Sequence, residues 1–204
     1  MFPDLTRDDV FTLETRRLWL RWPRSSDVPA IRRIAGSAQV AGDAGGPRPM
    51  PTHDAEAYVL AARAANAEGR ELALAITLKT TREAVGLISA SLEDGGVDIG
   101  FALAPAHWGK GLGTEAAHAV IDATFALTSV NELGTDVRAD NAASRDVLEK
   151  CGFVGVGASV ADDCLRYRLT RHDWGALRDR RILPMSQQHG AGRVPTPTTQ
   201  EAWA

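Results

Sequence analysis

The amino-acid sequence predicts an α/β fold with a mixed, mostly antiparallel sheet of six or seven strands and helices on both faces. Three apolar runs at 72–78, 84–92 and 97–103 are joined by short polar connections, which is typical of antiparallel hairpins. A helical pattern at 114–127 then leads to another strand at 133–138. A strand, helix and strand connection of this length gives a parallel crossover, so the sheet is predicted to be mixed.

The N-terminal part of the chain is predicted to form one strand and two helices. A first strand is expected over 13–22, where leucines alternate with polar or aromatic residues. A capping side chain at Asp27 ahead of Pro29 predicts a helix that runs to about residue 37. Alanines and a leucine at helical spacing predict a second helix over 52–69.

A helix at 144–151 and strands at 154–158 and 164–169 complete a domain that we predict to occupy residues 13–182, after an N-terminal extension at 1–12. Two other segments have compositions unlike regular structure. Residues 41–52 are rich in Gly and Pro and are expected to form a mobile loop, either a lid facing the substrate or a plain connector. Residues 183–204 are expected to be a disordered tail.

Composition excludes several functional classes. The chain has 204 residues and a net charge of −3, and no dense block of Lys and Arg that would indicate a nucleic-acid surface. Its two cysteines form neither a disulfide framework nor a zinc-binding spacing, which fits a reducing cytoplasm. Acidic residues and the lack of a long apolar run near the start give no indication of a signal peptide or a membrane span. We therefore expect a soluble cytoplasmic protein without a metal site.

The most informative stretch joins the strand 97–103 to the next helix. Pro105 ends the strand, and three glycines at alternate positions follow, namely Gly109, Gly111 and Gly113. Such a turn lets successive backbone N–H groups converge on one point. Because it lies at a helix N-terminus, where the dipole favours negative charge, its natural ligand is a pyrophosphate.

Spacing separates the nucleotide-binding motifs that this turn could represent. A Walker A loop requires Gly five positions before the Gly-Lys pair and Ser or Thr after it, but Ala104 and Gly111 stand there. A dinucleotide fingerprint fits residues 111–116, with Asp136 at the expected distance. However, about 65 residues remain before the tail, too few for the usual parallel βα units. A dinucleotide-binding module remains the alternative of a different class.

A third interpretation explains more of the chain. The chain contains the motif Trp108-x-x-Gly111-x-Gly113, with Ile-Gly-Phe-x-Leu-x-Pro before it and Thr-Glu-Ala after it. This motif resembles the acyl-CoA pyrophosphate loop of GNAT N-acetyltransferases and looks most like the RimJ/RimL-like branch. Residues 141–153 are similar to that branch's Asn-x-x-Ser and Leu-Glu-Lys-x-Gly-Phe box. Residues 13–21 resemble its opening strand, and residues 171–174 its usual close.

The resemblance implies a splay in the sheet between the fourth and fifth predicted strands, where backbone groups bind the pantetheine arm of acetyl-CoA. It implies that the amides of 109–114 hold the pyrophosphate and that Asn141 bonds the pantetheine. Ser144 would lie near the thioester sulfur and protonate the departing thiolate. The expected cofactor-binding residues are Phe101, Leu103, Trp108, Gly109, Lys110, Gly111, Leu112, Gly113, Thr114, Asn141 and Ser144.

Acetyl transfer to an amine also requires a proton acceptor, because a lysine amine has a pKa of about 10.4 and an α-amino group about 7.8. Asp98 is the candidate, acting through water, where the family often has a glutamate. Three alternatives accompany these assignments. In the first, Asp98 only forms a surface ion pair. In the second, His107 is the base. In the third, Asn141 or Ser144 only caps the helix that follows.

The expected function is therefore acetyl-CoA-dependent N-acetylation of a primary amine, by direct attack in a ternary complex. The acceptor is either a protein N-terminus or a small amine, and the protein is a monomer or a homodimer. An acyl-CoA-binding regulatory protein without turnover is the alternative within the same fold. The segments 36–53 and 155–164, which would line an acceptor pocket, carry no recognisable motif.

Overall fold

The computed structural model describes residues 11–37, 50–93, 96–161 and 163–182. In these ranges the chain forms eight strands and five α-helices. The strands are β1 (Thr12–Glu14), β2 (Leu18–Arg21), β3 (Glu71–Leu78), β4 (Ala84–Glu93), β5 (Gly96–Leu103), β6 (Glu132–Arg138), β7 (Val154–Ala158) and β8 (Cys164–Thr170). The helices are α1 (Val28–Ala35), α2 (Thr52–Ala67), α3 (Leu112–Leu127), α4 (Ala142–Lys150) and α5 (Arg171–Ile182).

All strands belong to one sheet in the order β1-β2-β3-β4-β5-β6-β8-β7. Neighbouring strands are antiparallel except β5 and β6, which are parallel. The predicted mixed, mostly antiparallel sheet is confirmed, with one strand more than expected. The extra strand arises because the predicted strand 13–22 folds back on itself at Thr15, whose N–H donates to the Leu18 carbonyl at 3.0 Å and whose hydroxyl accepts from the Leu18 N–H at 3.0 Å.

Helices cover both faces of the sheet, as predicted. Helices α1 and α2 pack on one face through Ile31 and Val59, against Leu87 of β4. Helices α3, α4 and α5 contribute to the main core on the other face. Strand β3 is buried along almost its whole length because both of its faces are covered.

The segment 171–174 begins helix α5. The Arg171 guanidinium donates to three carbonyls around the C-terminal end of α3, those of Phe125, Thr128 and Val130, at 2.7, 2.7 and 2.9 Å. The Trp174 ring stacks on Phe125 at 5.0 Å. A cation is favourable at a helix C-terminus, so these contacts fix α5 to α3.

Strands β5 and β6 separate soon after they meet. Their paired residues are Val97 with Leu133 and Asp98 with Gly134. Beyond these pairs the C-terminal part of β5, residues 99–103, diverges from its parallel neighbour. The splay lies between the fourth and fifth predicted strands, where it was expected.

Three predictions fall wholly or largely outside the described residues. They are the N-terminal extension 1–12, the mobile loop 41–52 and the disordered tail 183–204. These remain predictions.

Candidate active site

A cleft of about 290 Å³ opens at the wide end of the splay. Its walls are the end of β5, the glycine turn, the first turn of α3 and one face of α4. All the predicted cofactor-binding residues line it except Lys110, whose ammonium donates to the Ala106 carbonyl at 2.8 Å. His107 also lines the cleft.

The β5 backbone presents polar groups to the gap. The Ala104 N–H donates to the Val85 carbonyl at 2.9 Å, which sets the hydrogen-bonding phase of the antiparallel β4 and β5 pair. Bonded and non-bonded positions alternate in such a pair, so Phe101 and Leu103 direct their N–H and C=O groups away from β4 and towards β6. This is the backbone arrangement that the two predicted pantetheine positions need.

The Trp108 side chain is hydrogen-bonded to one of these backbone groups, the Leu103 carbonyl. Its indole N–H donates to the Leu103 carbonyl at 2.7 Å, while its side chain is 41% exposed at the cleft. Trp108 therefore fixes the end of β5 and contributes a wall of the cleft. Of the two predicted pantetheine positions, Leu103 has its carbonyl bonded to the indole and Phe101 does not.

The glycine turn has the geometry of an anion site. Gly109 and Gly111 have φ values of 69° and 70°, in the left-handed region that glycine adopts without strain. Gly111 is the N-cap residue of α3, so the first N–H groups of that helix lack partners within the helix. These groups and the helix dipole lie at the cleft and favour a phosphate there.

Asn141 caps helix α4. Its Oδ1 accepts a hydrogen bond from the Ser144 N–H at 3.0 Å. The capping alternative therefore holds for Asn141, which nevertheless lines the cleft and carries a second polar atom, Nδ2. Ser144 takes part in the cap through its backbone, so its hydroxyl is not the capping group.

Asp98 lies at the narrow end of the splay and forms an ion pair. The Arg166 guanidinium donates to both of its carboxylate oxygens at 2.7 and 3.1 Å, and Asp136 lies 3.3 Å from the same guanidinium. The hydrogen bonds that Arg166 donates to Asp98 raise its pKa most, burial opposes this, and the charge of Asp98 and the weaker interaction with Asp136 raise it further. Gly134 makes room for the pair, because a Cβ there would overlap the guanidinium and lie 2.8 Å from Asp98 Oδ1.

A family model described as the acetyltransferase (GNAT) domain matches residues 17–154, which is more than half of the chain. The chain belongs to the GNAT acetyltransferase family. Its described domain is therefore an acetyltransferase domain by family. The dinucleotide alternative loses its support, since that fold is built from parallel strands and the present sheet pairs two strands in parallel.

Relatives agree with this assignment. The chain is 28% identical over 144 residues to the uncharacterized N-acetyltransferase YoaA of Bacillus subtilis, covering 69% of the chain and 81% of the relative. It is 32% identical over 89 residues to the uncharacterized N-acetyltransferase p20 of Bacillus licheniformis, where the match spans 42% of the chain and only 50% of the relative. Mycobacterium smegmatis RimJ in complex with CoA-disulfide has the same fold, with a TM-score of 0.68 and 23% identity over 84% of this chain and 91% of RimJ.

Sequence reasoning missed part of this GNAT cleft. Ala143, Asp146, Val147 and Lys150 of α4 also line it. Their spacing of three, four and seven residues places them on one helix face, which is the signal that could have identified them. The ion-pair partner of Asp98, Arg166, lies 68 residues away and had no local signal.

Membrane-spanning helices and metal clusters are both absent from the described residues. No helix there combines the length and the hydropathy needed to cross a membrane. No group of three or more His, Cys, Asp or Glu side chains in the same ranges is arranged to hold a metal ion.

Proposed function

We propose that this GNAT protein transfers the acetyl group of acetyl-CoA to a primary amine, by direct attack in a ternary complex. The observation that supports this best is one cleft that joins the glycine turn at the N-terminus of α3 to the splayed edge of β5. A pyrophosphate fits the first feature, and the amide-containing pantetheine arm fits the second.

The pyrophosphate and the pantetheine arm of the coenzyme both have partners of suitable chemistry in this proposal. The N–H groups of 109–114 would bind the pyrophosphate. The backbone of Phe101 would bond the pantetheine amides, as an added strand does at a sheet edge. Asn141 would contribute its carboxamide Nδ2 from the other wall, since Oδ1 is held by the cap.

The reaction forms one C–N bond and breaks one C–S bond. The lone pair of the neutral amine attacks the thioester carbonyl carbon, and the electrons of the C–S bond leave with sulfur. The Ser144 hydroxyl, which lines the cleft, would donate a proton to the departing thiolate and take one back from water. The nitrogen loses one proton, so the products are an N-acetylated amine and the free thiol of CoA.

Asp98 would accept the amine proton through water. It lies on β5 three residues before Phe101, which corresponds to about 10 Å along a strand. Its bond to Arg166 is the ion pair that the structural alternative expects, and the side chain keeps 36% of its surface exposed, so water can reach it.

Binding and turnover test the proposed function directly. Titration calorimetry with CoA and with NAD should detect binding of CoA alone. A screen of amines, including peptides with a free N-terminus, small polyamines and lysine derivatives, should identify acceptors that release CoA thiol from acetyl-CoA. CoA binding with no acceptor found in such a screen would favour a regulatory acyl-CoA-binding protein, and absence of CoA binding would refute the proposal.

Replacement of Asp98 by Asn tests its role. The substitution keeps the volume and should keep CoA affinity, while kcat falls by about 10²- to 10⁴-fold if a general base is lost. Neither Asp98 nor Asp140 is among the described residues that line the cleft. Asp140→Asn is a matched control, because Asp140 also pairs with an arginine, Arg138, at 2.9 Å but lies after the end of β6 and not on the splayed strand β5. A loss below about threefold for Asp98→Asn would assign Asp98 to the ion pair alone.

Replacement of Ser144 by Ala separates catalysis from capping. The cap uses the Ser144 N–H, so the variant should keep its melting temperature. The kcat should fall less than in Asp98→Asn and should recover towards low pH, because a thiol with a pKa of about 8.5 then leaves more easily. An unchanged kcat at all pH values would remove Ser144 from the mechanism.

A further inference from the structure

The segment between β1 and β2 is bonded to the first turn of α3. The Thr15 hydroxyl, the Arg17 N–H and the Arg17 Nε all donate to the Glu115 carboxylate, at 2.6, 2.8 and 2.6 Å. The Glu115 side chain is only 16% exposed. Burial acts to raise the pKa of Glu115, but the bonds from Thr15 and Arg17 outweigh it and lower that pKa. The carboxylate is thus held charged at the start of the helix that carries the glycine turn.

Arg17 also reaches the turn itself. Its Nη1 donates to the Lys110 carbonyl at 2.8 Å. Its Nη2 would lie 3.6 Å from a Cβ placed on Gly111. One guanidinium therefore bridges the turn and the helix, and it is fixed at both ends.

The bond to the Lys110 carbonyl determines where the next N–H points. The C=O of Lys110 and the N–H of Gly111 belong to one planar trans peptide, in which the two groups point in opposite directions. Gly111 lines the cleft, whereas neither Lys110 nor Arg17 is among the described residues that line it. Holding the carbonyl on the Arg17 side therefore directs the Gly111 amide to the other side, where the cleft lies.

We propose that Arg17 is a positioning residue for the pyrophosphate loop, which sets the orientation of the Gly111 amide from outside the cleft. The proposal rests on the proposed function for the identity of the ligand, but its structural part concerns the unliganded protein. It also gives the β1 and β2 hairpin a role in coenzyme affinity, although that hairpin is remote from the cleft in sequence.

Arg17→Met, Arg17→Lys and the control Arg33→Met test this proposal. Arg33 pairs with Glu83 at 2.6 Å on α1, which packs on the opposite face of the sheet from α3, and both side chains are more than half exposed. The first measurement is the backbone amide resonance of Gly111 in the unliganded protein by NMR. We expect a shifted or broadened resonance in both Arg17 variants and an unchanged one in Arg33→Met.

The second measurement compares two acetyl donors. We expect Arg17→Met to weaken CoA binding about tenfold in calorimetry and to lower kcat/KM with acetyl-CoA by a similar factor, while kcat/KM with S-acetylpantetheine, which lacks the pyrophosphate, stays within twofold of the wild type. Arg17→Lys keeps the charge, but a single ammonium cannot reproduce the fork that joins Glu115 to the Lys110 carbonyl. We therefore expect it to bind CoA as weakly as Arg17→Met, and it provides the same comparison if Arg17→Met does not fold.

Three results would overturn the proposal. They are an unchanged Gly111 resonance, equal losses with both donors, and recovery of CoA affinity in Arg17→Lys. Failure of the proposed function is a separate observation, since wild-type protein would then not bind CoA, whereas the Gly111 resonance would still report on Arg17.

Discussion

Substitution of Gly111 by valine tests the glycine turn most directly. Gly111 has φ 70° and ψ 12°, and an L-residue in this left-handed conformation costs roughly 1–2 kcal/mol. A new Cβ has space, because the nearest neighbouring atom is Arg17 Nη2 at 3.6 Å, an ordinary van der Waals distance. The left-handed backbone conformation, which a β-branched residue adopts only with strain, is therefore the main expected source of the effect.

That strain sets the size of the expected change. If the turn relaxes in the free protein, CoA binding must restore the left-handed conformation at a cost of about 1–2 kcal/mol. This corresponds to a loss of affinity between about 5-fold and 30-fold, with tenfold as the central expectation. The free energy of unfolding should fall by no more than the same 1–2 kcal/mol.

Titration calorimetry with CoA and urea unfolding measure the two quantities on the same samples. Gly175→Ala is the control, because Gly175 lies in α5, a Cβ added there would meet no neighbouring element within 4 Å, and CoA affinity should stay unchanged. A folded Gly111→Val protein that binds CoA within twofold of the wild type would show that the turn does not hold the coenzyme. A stability loss far above 2 kcal/mol would show that strain alone is not the cause.

Four further changes have expected outcomes. Glu115→Gln should make the melting temperature depend less on pH in the acid range. A carboxyl whose folded-state pKa lies below its usual 4.5 stabilises the fold above that pH and loses this contribution as the pH falls, and glutamine cannot titrate. Asn66→Ala should lower the free energy of urea unfolding by about 2–6 kcal/mol, because it leaves two buried groups unpaired at about 1–3 kcal/mol each. The Asn66 carboxamide bonds both the Ala73 carbonyl and the Ala73 N–H, at 2.8 and 2.7 Å. Gly134→Ala should displace the Arg166 guanidinium from Asp98, so the dependence of kcat on pH should change. The melting temperature should fall by less than the equivalent of about 1 kcal/mol, because the pair, with side chains 37% and 36% exposed, is screened by solvent. Truncation after Leu183 should leave the melting temperature and turnover unchanged, and loss of either would show that the tail is an ordered part of the protein.

The sequence was sufficient for elements whose cause is local. Alternating apolar residues on β5, Pro105 after it and the glycines at the start of α3 lie within twenty residues of one another, and their conformations depend on steric rules that act over a few bonds. The family resemblance likewise rested on short motifs at fixed spacing. For this reason the position of the splay agrees with expectation, and most of the residues predicted to bind the coenzyme line one cleft.

Boundaries were less predictable where a side chain competes with the backbone. At the fold-back, the Thr15 hydroxyl accepts from the Leu18 N–H beside the backbone bond between the same two residues, so an apparent single strand became two. Helix α5 was not expected, because its apolar pattern is weak and its position depends on Arg171, which bonds carbonyls 41 to 46 residues away.

The sequence by itself determined the fold class, the glycine turn and the strand that leads into it, because periodicity and backbone sterics act between near neighbours. Only the tertiary structure decided which side chains meet: Arg17 with Glu115 and Arg166 with Asp98 are separated by 98 and 68 residues. A charged side chain can find its partner anywhere that the sheet order brings two strands or a strand and a helix together. The choice therefore depends on register and packing, which no local pattern in the chain records.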